Sequence, residues 1–179
     1  MFALRARSGF TLIELLVVIA IIGTLSSIVL SALNTSRNKG NDAVVKSNLD
    51  NLRSQAELFY DSNGNRYVVS SGSTNDVCNP NASAGNPAVR GIYPQVIAAA
   101  QAAGLSTVDT TFTGETVNTA ACHSCNSGMG GTDCTAGRPD GWGVQIPLKT
   151  NPGFVFCVDS IGTATTTTHP FGSGATKCL

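Results

Sequence analysis

From Phe10 to Leu33 the chain carries a single ionisable side chain, Glu14, in an otherwise apolar or small-residue run. A helix of that length spans roughly 36 Å, enough to cross a hydrocarbon core. Arg5 and Arg7 stand before the run. Positive charge is retained on the cytoplasmic side, so this order leaves the N-terminus inside and everything after Leu33 outside. Glu14 is the anomaly. A carboxylate in a span costs about 2.5–3.5 kcal/mol at the centre and less near the interface, so it needs a partner or a route to water.

Three readings of this N-terminus compete. A secretory signal peptide would have a shorter apolar stretch with small residues after it. Here the run is long and the small residue, Gly9, comes first. A cut after Ala32 would place Leu30 where a small residue belongs. A plain single-span anchor accounts for the length but gives Glu14 no purpose. The third reading uses every feature. Gly9-Phe10-Thr11-Leu12-Ile13-Glu14, continuing through Leu15-Leu16-Val17-Val18-Ile19-Ala20-Ile21-Ile22-Gly23, resembles the class III signal peptide of type IV prepilins and pseudopilins. The resemblance implies that a prepilin peptidase cuts after Gly9, that Phe10 becomes the N-methylated first residue, and that Glu14 takes part in assembly. It also implies a homo-oligomeric helical filament raised by pilus or secretion machinery. The precursor would sit as a single-pass protein in the cytoplasmic membrane, and the product would be extracellular. Many such proteins have a proline in the apolar helix near the position of Ser31, whereas the first proline here is Pro80. Helix melting during assembly would then start at Gly23 or near Ser26 and Ser27. Glycine costs about 1 kcal/mol against alanine in a helix. Gly23 reads equally well as a site of close helix packing.

Beyond Leu33 the sequence turns polar, but the helix need not stop. Val45, Leu49, Leu52, Ala56 and Phe59 recur at four- and three-residue steps and form one apolar stripe, with Lys46, Asn48, Asp50, Arg53 and Glu57 opposite. Asp61-Ser62-Asn63-Gly64-Asn65 supplies a stop. This predicts one long helix from about Phe10 to about Tyr60, with a candidate bend at Gly40. The stripe must lie on the C-terminal half of the chain. There, Pro94 to Gly104 reads as a short helix with a glycine stop. Trp142, Val144, Ile146 and Leu148 alternate with polar or small residues, and so do Phe154, Phe156 and Val158. Asn151-Pro152-Gly153 lies between the two sets, which makes a hairpin. Pro147 should demote its strand to an edge or interrupt it. The segments 68–87 and 162–179 read as irregular. The expected fold is α+β: a long N-terminal helix, transmembrane then amphipathic, packed on a small antiparallel sheet with disulfide-stapled loops. The divisions are a leader 1–9, a membrane and assembly segment 10–33, an amphipathic segment 34–61 and an extracellular head 62–179.

All six cysteines, Cys78, Cys122, Cys125, Cys134, Cys157 and Cys178, follow the apolar run, which suggests disulfides in an oxidising compartment. Six thiols allow 15 connectivities. Cys157 with Cys178 would pin the tail to a strand, as many pilins do in their C-terminal region, and would stabilise by roughly 3 kcal/mol. Cys122 would then bond Cys125 or Cys134, leaving Cys78 for the other. Cys122-His123-Ser124-Cys125 lacks a second close pair for zinc and the βαβ setting of a redox motif. Asn126 stands where haem attachment needs histidine. His123 and His169 read as isolated surface-loop residues. Asp133 and Asp140 could offer oxygens to calcium, as loops of some pseudopilins do, but solvated loop acids explain them as well. No catalytic set, metal or cofactor is expected, so the chain does not read as an enzyme. Formal net charge is zero and charged residues make up 12% of the chain, which argues against a nucleic-acid partner.

Overall fold

The computed structural model describes residues 9–68, 76–85, 88–111, 116–126, 140–170 and 176–178. The chain divides into two compact units, one reaching to Arg37 and one from Asn38 to Leu179. Helix α1 (Leu12–Asp50) is followed by α2 (Leu52–Ser62). Asn51 between them keeps a right-handed helical backbone (φ −81°, ψ −10°), so the stripe of apolar positions stays in phase across it. Gly40 lies inside α1, and the interruption falls at Asn51 instead.

The head unit follows. Strand β1 (Ser83–Ala84) pairs antiparallel with β2 (Val89–Arg90), and α3 (Tyr93–Ala103) comes next. A four-stranded antiparallel sheet then runs in sequence order: β3 (Ala121–Asn126), β4 (Asp140–Pro147), β5 (Val155–Asp159) and β6 (Ala164–Thr167). The predicted hairpin is β4–β5, turning through Gly153 at φ 92°. The predicted short helix is α3, closed by Gly104 in the left-handed conformation. Four expectations are corrected. Pro147 is the last residue of β4, an interior strand, where its missing N–H costs the ladder least. The stretch 68–87 is not all loop, because it contributes β1 and a bridge from Val68 to Asp76. The tail contributes β6, whose threonines suit a pleated strand. The Cys122–Cys125 stretch is strand β3, not loop.

Packing explains these outcomes. Val45, Leu49, Leu52, Ala56 and Phe59 are all fully buried and share one core with Trp142, Val144, Ile146, Phe156 and Val158. The stripe therefore lies on the sheet, as its periodicity predicts. The opposite sheet face is buried too. Ala121, Cys157 and Cys178 form a second cluster, and Gln145, fully buried, donates to the carbonyls of Thr116 (3.1 Å) and Thr119 (3.0 Å). Arg53 fastens α2 to the β5–β6 turn by donating to the carbonyls of Asp159 (3.3 Å) and Thr163 (2.6 Å). Tyr67 donates its hydroxyl to Glu57 at 2.7 Å. Burial, and then this hydrogen bond, push the Tyr67 hydroxyl above its ordinary pKa. Gly91 is required sterically, since a Cβ there would lie 2.4 Å from the Val77 carbonyl oxygen.

Two disulfides are described. Cys157–Cys178 joins β5 to the tail, as expected. Cys122 bonds Cys78, not Cys125 or Cys134. The reason is the pleat of β3: Cys122 faces the main core where Cys78 sits, while its neighbour Ala121 faces the second cluster. Cys134 lies outside the described residues.

Candidate assembly segment

Every residue from Gly9 to Arg37 is exposed. Phe10 is 85% exposed and Leu12 84%, and Ile19, Ile22, Leu25, Val29 and Leu33 all stay open along α1. This helix is long and apolar enough to cross a membrane. Apolar side chains around the whole circumference of a helix call for an apolar surround on all sides. None of these residues is buried against its own chain.

The start of the helix contains a feature that the sequence reading missed. Thr11 precedes the first residue of α1, and Glu14 stands three residues on. The backbone N–H of Thr11 donates to Glu14 Oε2 at 2.9 Å, and the Thr11 hydroxyl donates to the same oxygen at 2.8 Å. In return the Glu14 N–H donates to Thr11 Oγ1 at 3.3 Å. This is a reciprocal capping box, which satisfies two first-turn donors that would otherwise face an apolar medium. Its signal, Thr-x-x-Glu directly before an apolar run, is readable in the sequence. The box gives Glu14 a local partner and fixes its carboxylate on Thr11, within the first turn.

Gly9 and Gly23 also acquire meaning. A Cβ added at either would meet nothing within 4 Å, and neither has the positive φ that glycine alone tolerates well. Among the described residues nothing requires glycine at these positions.

The remaining sequence candidates do not gather into a site. His123 is fully buried on β3, opposite Gly143, and is not a surface-loop residue. His169 is exposed beyond β6. Cys125 is buried on β3. Asp140 opens β4, and Asp133 lies outside the described residues. Among the described residues no group of three or more His, Cys, Asp or Glu is placed to hold a metal ion. Arg5 and Arg7 likewise lie outside the described residues.

Comparison with known proteins bears on this same segment. Residues 4–30 match the family model described as a prokaryotic N-terminal methylation motif. The type IV wide pilus major component PilA4 of Thermus thermophilus is 41% identical over 56 residues, which cover 31% of this chain and 43% of that protein. The similarity thus spans less than half of the relative's length. No solved structure matches the chain.

Proposed function

We propose that this chain, for which the N-terminal motif and the pilus relative support a type IV pilin family, is a structural subunit of a type IV pilus-like extracellular filament. It would be inserted as a single-pass precursor, cut between Gly9 and Phe10 by a prepilin peptidase, methylated on Phe10 and polymerised through α1. The observation that carries this reading is the junction itself. Gly9-Phe10 stands directly before a helix that exposes its apolar surface all round and opens on a fixed carboxylate.

The chemistry follows from charge in a poor solvent. Until the peptide bond is cut, the nitrogen of Phe10 is an amide. Cleavage makes it an amine one residue before the Thr11 cap of α1 and four residues from Glu14 in the chain. An ammonium and a carboxylate near lipid are each costly alone and much less so as a pair. Glu14 of an incoming subunit would neutralise the Phe10 amine of one already assembled. Smooth apolar helices slide past one another with little preference for register, and this charge pair supplies one.

Peptide mass analysis of the mature chain tests the reading. It should find Phe10 first and methylated. An intact Met1 terminus, or one starting after Ala32, would contradict it. The same leader also serves pseudopilins of type II secretion and minor or tip pilins. The relative's description as a major pilus component favours the pilus, and this chain's copy number in purified surface filaments decides between them. A membrane-anchored binding domain that never polymerises would tolerate loss of Glu14.

A further inference from the structure

Two stretches of the chain have the form Asn-x-Ser with x other than proline: Asn34-Thr35-Ser36 and Asn81-Ala82-Ser83. An asparagine in this setting, outside a membrane, is an acceptor for N-linked sugar. The fold treats the two stretches differently. Asn34 to Ser36 lie within α1, where residues two apart do not face each other. The helix therefore holds the Asn34 amide and the Ser36 hydroxyl apart. Asn81 lies in the turn that leads into β1. From Asn81 onward burial alternates residue by residue: Asn81 is exposed, Ala82 buried, Ser83 half-buried and Ala84 buried. This is the period of extended chain, with Asn81 and Ser83 on the outer side and both alanines in the core of the head.

The backbone around Asn81 is anchored. Cys78 is bonded to Cys122. The Asn81 N–H donates to Asn79 Oδ1 at 2.8 Å, and the Ala82 N–H donates to the Asn79 carbonyl at 3.0 Å. The Ala82 carbonyl accepts the Gly91 N–H at 3.2 Å, and Ser83 pairs with Arg90 across β1–β2. All of these bonds use main-chain groups of Asn81, Ala82 and Ser83. Among the described residues the side-chain amide of Asn81 makes no hydrogen bond.

We propose that Asn81 is an N-glycosylation site and that Asn34 is not. The inference rests on the proposed function in one respect, that the head lies outside the membrane. The substrate class is a glycan carried on a polyisoprenyl phosphate, and the partner is a membrane transferase acting on the outer side. An amide nitrogen is a weak nucleophile, because its lone pair is shared with the carbonyl. A hydroxyl two residues on and on the same side is placed to hydrogen-bond the amide and hold it for the transfer. Asn81 Nδ2 then attacks the anomeric carbon of the sugar. A C–N bond forms and the bond from that carbon to the phosphate oxygen breaks. The phosphate leaves with the electron pair, and one amide proton passes to a base of the transferase.

The test is glycopeptide mass analysis of the full chain purified from the cells that make it. The peptide containing Asn81 should carry sugar, and the peptide containing Asn34 should be bare. Asn81→Gln should abolish the modification. Ser83→Ala should abolish it with the asparagine still in place, and Ser83→Thr should keep it. Sugar that persists in Ser83→Ala, or sugar on Asn34 instead, would overturn the proposal. So would a bare Asn81 in the parent chain. The same digest reports the N-terminus, which separates the two readings. A bare Asn81 in a chain that starts at Phe10 removes this inference and leaves the filament reading standing, whereas a bare Asn81 in a chain that keeps Met1 removes both.

Discussion

Ile22, Val29 and Leu33 differ little in chemistry from Val45, Leu49 and Leu52, yet the first three are more than 45% exposed and the second three are fully buried. Both sets lie on helix. What separates them is spacing. Before Leu33 the apolar residues occupy every side of α1. After Asn41 they occupy one stripe, with charge opposite. A stripe can be covered by a single sheet, and the chain provides that sheet with Trp142, Val144 and Ile146. An all-round apolar helix cannot be covered by one neighbour, so it calls for an apolar surround on every side. The same contrast divides the acids. Asp42 is held by donors from the β4–β5 turn, and Glu14 by its own first turn.

If this contrast is right, truncations should hurt one region and spare the other. Phe59→Ala should destabilise the head by about 3–5 kcal/mol in denaturant unfolding, because it leaves a cavity under the sheet. Ile22→Ala should change the same transition by no more than about 0.5 kcal/mol. Comparable losses from the two would show that Ile22 is covered by its own chain. The disulfides sharpen the picture within the head. Removing Cys157–Cys178 as a double alanine variant should cost about 3 kcal/mol by loop-closure entropy. Alkylation of the denatured, unreduced protein should leave Cys78, Cys122, Cys157 and Cys178 unlabelled, and free Cys122 together with stoichiometric zinc would contradict this. Among the changes in the head, the smallest effect belongs to Asp42. Asp42→Asn should cost about 1.5–3 kcal/mol, since charge-assisted bonds to two backbone donors and a hydroxyl are weakened. A neutral result would mean that the β4–β5 turn does not depend on Asp42.

The N-terminal half of the fold is legible because its signals are local. Length, Gly9, Phe10, Glu14 and the stripe from Val45 to Phe59 are all periodicities or spacings along one helix. The capping box is equally local, but it escapes a reading that weighs Glu14 only as a charge in lipid. The head is less legible for a different reason. Strand β3 contains Cys122, His123, Ser124 and Cys125, types that suggest chemistry or loop, yet both faces of the sheet are covered and all four are buried. A polar residue on a strand buried on both sides looks like a surface residue until its partner is known, as with Gln145 and the carbonyls of Thr116 and Thr119. The Cys78–Cys122 bridge depends on which way β3 is pleated, and the spacing of the cysteines does not encode that.

In the proposed function assembly turns on Glu14, and Glu14→Ala tests that role most directly. The variant is expressed beside the parent, and membrane-bound protein is compared with filaments sheared from the surface. Insertion should persist, because removing a carboxylate from an apolar run makes insertion easier. Cleavage after Gly9 should largely survive, and the head should unfold as in the parent, since among the described residues Glu14 bonds only within its own first turn. Filaments should be lost or sharply reduced. A normal yield of sheared filaments from Glu14→Ala would contradict this: Glu14 would then be only a helix cap at the membrane interface, and the register of assembly would be set elsewhere.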